Sequence, residues 1–309
     1  MSKTALLFAG QGAQTVGMGR DLAETFPTAR TWFDRANAAL GCDLAAVCFN
    51  GSDAELTRTE NAQPGIYLVS WVCFELLKEQ VPNLKYEATA GLSLGEFTAL
   101  AAAGAMSFED GLRVVRQRGR FMQEACEATR GGMAAIIGLD EAPTREVCAQ
   151  AGVVLANLNC PGQLVISGEE EKIASAIELA RARGARRAIP LPVAGAYHSP
   201  LMAGAQPKLQ AELAKIQISP PRLPVIANVT ARAHENGRDA ISARLVEQIT
   251  SSVLWEKSMR VLLAQDFTRF IELGPGTALS GFMKRIDKNA QILNVADLGS
   301  LEAAAAALK

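Results

Sequence analysis

The sequence predicts an α/β fold, in which a body built on a mostly parallel sheet carries a smaller ferredoxin-like domain. Short apolar strands alternate with helices through most of the 309 residues, a pattern typical of a parallel sheet covered on both faces. In the middle of the chain the order changes to β-α-β-β-α-β, the split βαβ pattern. We therefore expect a large domain from residues 1–128 and 197–309, with a small domain inserted at residues 129–196.

The first part of the body is predicted from one apolar strand and the helix signals that follow it. Ser107 precedes two acidic residues, and such a sequence suits the start of a helix. Because proline is tolerated in a first helical turn, another helix is expected to begin near Pro64. The predicted elements are strands at Thr4–Ala9 and Tyr86–Leu92, and helices from about Pro64 to Glu79, at Gly95–Ala103 and from Ser107 to about Cys126.

Turn residues divide the middle and the end of the chain into further short elements. The inserted domain is predicted to contain strands at Gly132–Leu139, Val153–Asn159, Gln163–Gly168 and Arg186–Leu191, and helices at Ala142–Ala151 and Glu170–Arg183. The remaining body is predicted to contain helices at about Pro200–Ile216, within about Asp239–Ala264, at Ala278–Ile286 and at Leu301–Leu308, and strands at Pro224–Asn228, Thr268–Leu273 and Ile292–Val295. These strands and helices again alternate, as a parallel sheet requires.

Composition excludes several classes of protein. A hydrophobic content of 49% is sufficient for a packed core, which argues against disorder. The net charge of -1 argues against a general nucleic-acid or membrane-surface binder. Six scattered cysteines and two histidines argue against a zinc site and fit a reducing, cytoplasmic setting. The start of the chain is short for a signal peptide, and no apolar run is long enough to span a membrane.

A candidate nucleophile lies between the second strand and the helix after it. Gly91-Leu92-Ser93-Leu94-Gly95 matches the G-x-S-x-G pattern of a nucleophile elbow. The glycines allow a sharp turn that presents Ser93, and the amide of Leu94 would be placed to stabilise an oxyanion. A chance match is the alternative, but the position between strand and helix favours the functional interpretation.

A serine nucleophile needs a base, and the chain offers two histidines. His198 lies where a strand gives way to a loop and a helix, whereas His234 lies in a sequence expected to form an exposed polar turn. We therefore expect His198 to be the base. The acidic residues between Ser93 and His198 fall mostly in the inserted domain, so no triad acid is convincing, and a backbone carbonyl could orient the imidazole instead.

Two further features could complete such a site. Gly10-Gln11-Gly12 lacks the spacing of a phosphate loop, so it is either a plain turn or the source of a second oxyanion amide. The helix after Ser107 contains four arginines, three of which share one face at i, i+3 and i+7. Arg118 points elsewhere, and a buried arginine beside the serine could bind a carboxylate through two hydrogen bonds.

These segments together resemble the malonyl-CoA:acyl-carrier-protein transacylases over essentially the whole chain. Several ordered matches are far more specific than any one motif. The matching segments are Phe8-Ala-Gly-Gln-Gly-Ala-Gln14, Gln63-Pro64, Gly91-Leu-Ser-Leu-Gly-Glu96, Arg118-Gly-Arg-Phe-Met-Gln123, Asn157 through Gly168, Gly195-Ala-Tyr-His-Ser-Pro200, Val246-Glu-Gln248 and Glu272-Leu-Gly-Pro-Gly276. The resemblance implies an α/β-hydrolase-like body with a ferredoxin-like small domain.

The resemblance also implies the chemistry. Ser93 would carry the acyl group, His198 would act as general base, and the carbonyl of Gln248 would hold the other ring nitrogen. The reaction would move a malonyl group from malonyl-CoA to the phosphopantetheine thiol of a holo acyl carrier protein, in fatty-acid synthesis. No metal or other cofactor of its own would be needed, and neither a nucleic acid nor a membrane would be a partner.

The remaining roles follow from the same resemblance. Arg118 would bind the free carboxylate of malonate, with Gln63 nearby. The amides of Gln11 and Leu94 would form the oxyanion hole. Tyr197 stands before the histidine where malonyl-selective relatives commonly have phenylalanine; its ring would still exclude a branched methyl, a discrimination of about 1–3 kcal/mol.

Two further expectations concern the surface of the small domain and the residue before Ser93. Carrier proteins are usually acidic, so the basic residues Arg186 and Arg187 of the small domain are candidates for binding one, although a solvated helix end is an equal alternative. Leu92 stands where the family often has histidine, at a position expected to point away from Ser93.

The alternatives to this malonyltransferase function are a trans-acting acyltransferase of polyketide synthesis, a serine esterase or thioesterase, and a non-catalytic subunit that binds carrier proteins.

Overall fold

Two β-sheets organise the chain, and the computed structural model describes them within residues 3–309. The larger sheet has five strands in the order β7-β2-β1-β8-β9, and every neighbouring pair is parallel. Its strands are β1 (Lys3–Phe8), β2 (Ala88–Gly91), β7 (Val225–Ile226), β8 (Phe267–Leu273) and β9 (Gln291–Val295). The predicted body with a mostly parallel sheet is confirmed.

The smaller sheet is antiparallel and has four strands in the order β4-β5-β3-β6. Its strands are β3 (Gly131–Ile137), β4 (Val154–Cys160), β5 (Gln163–Glu169) and β6 (Arg187–Pro190). Two helices separate them in the β-α-β-β-α-β order, so the predicted second sheet is confirmed. It lies within residues 129–196, whose bounds as a domain stay a prediction.

Helices cover both sheets. Among the helices of residues 3–309, none combines the length and hydropathy of a membrane-crossing segment. The helices are α1 (Arg20–Thr25), α2 (Pro27–Leu40), α3 (Leu44–Asn50), α4 (Asp53–Thr57), α5 (Thr59–Gln80), α6 (Gly95–Ala102), α7 (Phe108–Glu127), α8 (Glu141–Ala151), α9 (Glu170–Ala182), α10 (Ala205–Leu213), α11 (Arg238–Gln248), α12 (Trp255–Leu263), α13 (Ala278–Ile286) and α14 (Leu298–Leu308).

The core explains why α5 and α7 form and where they lie. Nearly every residue of α5 from Ala62 to Leu77 is buried, so this helix runs through the interior rather than over it. The helix α7 is amphipathic, and the Ser107 hydroxyl accepts a hydrogen bond from the Asp110 amide as the sequence predicted for its cap. The two helices pack against each other and bring the middle of α7 to the carboxyl end of the parallel sheet.

Three predicted elements differ from the structure. The helix α5 begins at Thr59 rather than near Pro64, because the Arg58 carbonyl accepts the first amides of an earlier turn. The predicted helix at Pro200–Ile216 is interrupted: a 3₁₀ turn at Pro200–Met202 precedes α10. The strand predicted at Pro224–Asn228 shortens to β7, because the side chain of Asn228 bonds to the β2–α6 turn.

The turn between β2 and α6 depends on the absence of side chains at two glycines. A Cβ on Gly91 would lie 1.9 Å from the carbonyl oxygen of Gly95, and a Cβ on Gly95 would lie 2.3 Å from that of Phe8. The turn holds Ser93 at a φ of 53°, in the left-handed region. Close backbone approach therefore fixes the position of Ser93 above the sheet.

Replacing Gly95 by alanine is expected to lower the free energy of unfolding by about 2–3 kcal/mol, because backbone atoms must move apart. Gly281→Ala is the matched control, since Gly281 lies in helix α13 and a Cβ there meets nothing within 4 Å. Its free energy of unfolding should stay the same or rise by up to about 1 kcal/mol. Urea unfolding of both variants measures the difference; equal stabilities would contradict the close-approach argument.

Candidate active site

Ser93 lies at the carboxyl end of the parallel sheet, in the turn between β2 and α6. Its amide donates to Oδ1 of Asn228 at 2.6 Å, and Nδ2 of Asn228 donates to the carbonyl of Gly91 at 2.8 Å. A single side chain from the end of β7 thus holds both sides of the turn. The strained φ of Ser93 is maintained by these bonds and by the adjacent glycines.

His198 lies beside the serine. The distance between Ser93 Oγ and His198 Nε2 is 2.9 Å, and that between His198 Nδ1 and the main-chain oxygen of Gln248 is also 2.9 Å. A carbonyl oxygen only accepts, so Nδ1 carries the proton and Nε2 accepts from the serine hydroxyl. The structure thus brings together three residues that the sequence analysis placed in one site, and among the described residues the Gln248 carbonyl, rather than a carboxylate, lies against Nδ1.

Burial keeps the imidazole neutral. His198 is 5% exposed, and burial lowers its pKa to about 4, helped by the positive charge of Arg118. The carbonyl of Gln248 opposes this shift only in part. At neutral pH the ring is therefore an unprotonated acceptor for the serine proton.

Arg118 is the buried cation of the site, with 1% of its surface exposed. Its Nη1 donates to Oε1 of Gln63 at 2.6 Å, and its Nη2 donates to Oε1 of Gln248 at 2.9 Å and to Ser93 Oγ at 3.0 Å. All these partners are neutral oxygens. The buried Nε has no hydrogen-bond partner within the described part of the chain.

The charge of Arg118 persists despite its burial. Burial lowers the pKa of the guanidinium to about 10, while the negative charge of Glu96 and the neighbouring Tyr197 oppose the shift. The group stays protonated at neutral pH. A buried cation with unused donor capacity next to a serine is suited to hold an anionic substrate group.

Two backbone amides near Ser93 are free to stabilise an oxyanion. Leu94 follows the serine directly and caps α6, and Gln11 lies in the loop after β1, the strand that pairs with β2. Within residues 3–309, neither amide nitrogen donates a hydrogen bond to a protein group. Both therefore remain available as donors, although nothing described here binds to them.

Tyr197 connects the Gln11 loop to helix α5. Its hydroxyl lies 2.7 Å from Oγ1 of Thr59, and Nε2 of Gln11 lies 3.5 Å from the same hydroxyl. Burial raises the pKa of this phenol to about 12, so the group is neutral.

A cavity of about 470 Å³ adjoins His198 on the side of the smaller sheet. It lies within the range of small-molecule sites, which is about 300–1,000 Å³. Besides His198, its lining residues are Arg145, Cys148, Val153, Val154, Leu155, Pro200, Thr250, Ser251 and Ser252.

The remaining predicted residues lie outside this cluster. Arg186 and Arg187 are exposed at the start of β6. The neighbouring Arg181 and Arg183 pair with Glu178 and Glu146, so they form ion pairs on the surface of the small sheet. Leu92 packs against a hydrophobic cluster under the larger sheet.

The prediction for His234 was wrong, and for this reason its contact with Glu96 was not foreseen. His234 was predicted to lie in an exposed polar turn, yet its side chain is fully buried and its Nε2 lies 2.7 Å from Oε1 of Glu96. The turn folds back onto the sheet, because the amide of His234 donates to the carbonyl of Val225. Sequence reasoning also missed Asn228. The signal available in the sequence was Glu96, the one charged residue in the mostly apolar segment that forms α6, because a charged residue there needs buried polar partners.

A neutral base beside a serine, with a buried cation in contact with the same hydroxyl, can transfer an acyl group that carries a negative charge. The fold and the site thus define an acyl-transferring enzyme. In agreement, the family model described as "Acyl transferase domain" matches residues 5–302. Among the described residues 3–309, no group of three His, Cys, Asp or Glu side chains could hold a metal ion.

Individual relatives narrow the class. The malonyl CoA-acyl carrier protein transacylase of Bacillus subtilis (strain 168) is 44% identical over 100% of this chain and 98% of its own length. The solved malonyl-CoA:acyl carrier protein transacylase of Xanthomonas oryzae pv. oryzae is 40% identical with a TM-score of 0.95, covering 99% of this chain and 98% of that one. The chain belongs to the malonyl CoA-acyl carrier protein transacylase family.

A third relative was solved with a partner. It is described as a type II polyketide synthase acyl-carrier protein in complex with its malonyl-transacylase. It is 36% identical with a TM-score of 0.95, and the match covers 99% of this chain and 100% of that one.

The pH dependence of serine acylation should report the lowered pKa of His198. The neutral ring is the base, so the rate should stay level as the pH falls from 8 to 5 and decline only near the pKa of about 4. Single-turnover acylation after brief pH jumps measures this profile. A decline centred near 6.5, the value of an unperturbed histidine, would contradict the assigned environment.

Proposed function

We propose that the protein transfers a malonyl group from malonyl-CoA to the phosphopantetheine thiol of a holo acyl carrier protein, through a malonyl-Ser93 intermediate. The observation that carries this proposal is the contact of a buried, cationic Arg118 with Ser93 Oγ at 3.0 Å. A carboxylate held there lies next to the atom that receives the acyl group. The reaction serves fatty-acid synthesis and needs neither a metal nor a redox cofactor.

The first half-reaction acylates the serine. Ser93 Oγ attacks the thioester carbonyl while its proton passes to Nε2 of His198. The resulting oxyanion accepts hydrogen bonds from the amides of Gln11 and Leu94. When the C–S bond breaks, His198 returns the proton to the departing thiolate, which leaves as coenzyme A.

The second half-reaction runs the same steps in reverse with a different thiol. His198 takes the proton of the phosphopantetheine thiol, and the thiolate attacks the malonyl ester on Ser93. The tetrahedral intermediate again uses the two amides. The C–O bond of the ester breaks and the serine recovers its proton, so the reaction is ping-pong.

Selectivity for malonyl over acetyl follows from Arg118. An acetyl group offers no carboxylate to the guanidinium, whose Nε has no partner in the part of the chain that the structure describes, so it gains nothing from the buried charge. Gln63 holds the guanidinium from the other side. The ring of Tyr197 limits the space for a methyl branch, which discriminates by about 1–3 kcal/mol.

The carrier protein is the second substrate. Arg186 and Arg187 offer exposed positive charge on the small sheet, and acidic carriers associate with such surfaces by electrostatic attraction. We place the reaction in the cytoplasm, which is supported by free thiols at all six cysteines.

Malonyl transfer in polyketide synthesis is the second candidate. It is favoured by the relative that was solved with the carrier protein of a type II polyketide synthase. The chemistry at Ser93 would be the same, and only the carrier would differ. A simple esterase is less well supported, because it would have no use for a buried Arg118, and a non-catalytic subunit would have no need of the Ser93–His198 contact.

Intact-mass measurement after brief exposure to malonyl-CoA or acetyl-CoA tests the intermediate. Wild type should gain a malonyl adduct that Ser93→Ala abolishes. Arg118→Ala should slow malonyl acylation by about a hundredfold, since loss of a buried charged partner costs about 2–5 kcal/mol, and should change acetylation far less. Discharge of the adduct onto holo carrier protein completes the test. Free malonate in place of transfer would indicate a hydrolase, and no adduct would indicate a binding subunit.

Charge reversal at the proposed carrier surface should separate the two half-reactions. The double variant R186E/R187E should raise the KM for holo carrier protein about tenfold, since surface charges act mainly on association, and should leave acylation by malonyl-CoA unchanged. The matched control is K85E/K309E, which makes the same change of charge beside the amino-terminal edge of the larger sheet. An equal rise of KM in both double variants would show only a net-charge effect.

A further inference from the structure

Glu96 is a fully buried carboxylate in the first turn of α6, three residues after Ser93. Its oxygens accept hydrogen bonds from Nε2 of His234 at 2.7 Å, from Nε2 of Gln248 at 2.7 Å and from the amide of Asn228 at 3.0 Å. The mechanism above does not use this group. A buried charge with three matched donors needs an explanation beyond simple packing.

Glu96 determines which way the side chain of Gln248 faces. The amide nitrogen of that side chain lies between two acceptors, the Glu96 carboxylate at 2.7 Å and the Ser93 carbonyl at 3.1 Å. Its oxygen must therefore point the other way, toward Nη2 of Arg118 at 2.9 Å. If the Gln248 amide were flipped, its nitrogen would face Nη2 of Arg118, and two hydrogen-bond donors would oppose each other.

The same carboxylate also holds the turn that carries the serine. By accepting from the amide of Asn228, Glu96 fixes the residue whose side chain holds the Ser93 amide and the Gly91 carbonyl. The buried Glu96 carboxylate thus supports both the Arg118 cation, through Gln248, and the Ser93 nucleophile, through Asn228. The third donor to the Glu96 carboxylate is Nε2 of His234.

We propose that Glu96 is a positioning residue for malonyl transfer, which orients Arg118 through the side chain of Gln248 and is itself held by His234. This inference rests on the proposed function. Glu96 touches none of the reacting atoms and acts through Gln248 and Asn228. Its negative charge also opposes the lowering of the Arg118 pKa by burial, so it helps to keep the guanidinium protonated.

The variant Glu96→Gln removes the charge while keeping the shape. The oxygen of the new amide can accept from Gln248 and Asn228, and its nitrogen then faces His234. Nδ1 of His234 is buried without a hydrogen-bond partner among the described residues, so the proton can move from Nε2 to Nδ1 and leave Nε2 as an acceptor. E96Q is therefore expected to fold.

Glu272 provides a matched control. It is 1% exposed on β8 and accepts hydrogen bonds from the amides of Leu279 and Ser280 at the start of α13. It is thus another buried glutamate with amide donors but, unlike Glu96, it makes no hydrogen bond to Gln248, Asn228 or His234 in the described structure. Glu272→Gln tests the general effect of neutralising a buried carboxylate.

The experiment measures single-turnover acylation by malonyl-CoA and by acetyl-CoA in wild type, E96Q, E272Q, R118A and the double variant R118A/E96Q. E96Q should lower the ratio of malonyl to acetyl acylation about tenfold, because a neutral amide oxygen holds Gln248, and through it Arg118, less firmly than a carboxylate does, and only malonyl uses Arg118. Malonyl acylation should decline at alkaline pH as Arg118 loses its proton near its pKa of about 10, and this decline should move to lower pH in E96Q, which lacks the charge that raises that pKa. In the R118A background E96Q should have little further effect on the ratio. E272Q should change neither ratio nor pH profile.

An unchanged ratio in E96Q, or an equal fall in the R118A background, would overturn the proposal and leave a structural role. If E96Q does not fold, H234L removes one of the three donors to the carboxylate and should lower the ratio about threefold; no change there would also overturn it. Absence of any malonyl adduct in wild type would instead be a failure of the proposed function, so the two failures are distinguishable.

Discussion

The site depends on a single constraint, which is a positive charge buried without contact to any carboxylate of residues 3–309. Arg118 is 1% exposed, and the oxygens around it belong to Gln63, Gln248 and Ser93. Removing such a charge from water is costly, and neutral amide oxygens compensate only in part. A substrate carboxylate supplies the missing partner. The fold therefore keeps a cation that lacks a carboxylate partner at the point where the acyl group must be bound.

The same constraint explains why His198 has a carbonyl and no acid behind it. A carboxylate in the place of the Gln248 carbonyl would lie close to Arg118 and would compete with the substrate for its charge. Gln248 avoids this, because its main-chain oxygen orients the imidazole while its side chain holds the guanidinium. The negative charge lies instead on Glu96, which contacts the side chain of Gln248 rather than the guanidinium itself. One neutral residue, Gln248, thus orients both the base and the cation.

The sequence predicted much of this, because periodicity and turn residues reflect local physics. The alternation of strands and helices, the serine turn and the cap at Ser107 all follow from neighbouring residues. The resemblance supplied the pairing of His198 with Gln248, which lie fifty residues apart and which no local pattern could join. His234 was misjudged because its polar neighbours suggest a surface turn. Its burial results from a contact with Glu96, 138 positions earlier in the chain.

The most direct test of this account is the protonation of the two imidazole rings, the only ones in the chain, by ¹⁵N NMR of histidine-labelled protein. His198 is expected to be neutral at pH 6 with its proton on Nδ1, while Nε2 of His234 donates a hydrogen bond to Glu96. His198→Ala assigns the two sets of signals. A protonated imidazolium at His198, or a neutral ring with its proton on Nε2, would contradict the claim that a neutral, carbonyl-oriented base serves Ser93 beside a buried cation.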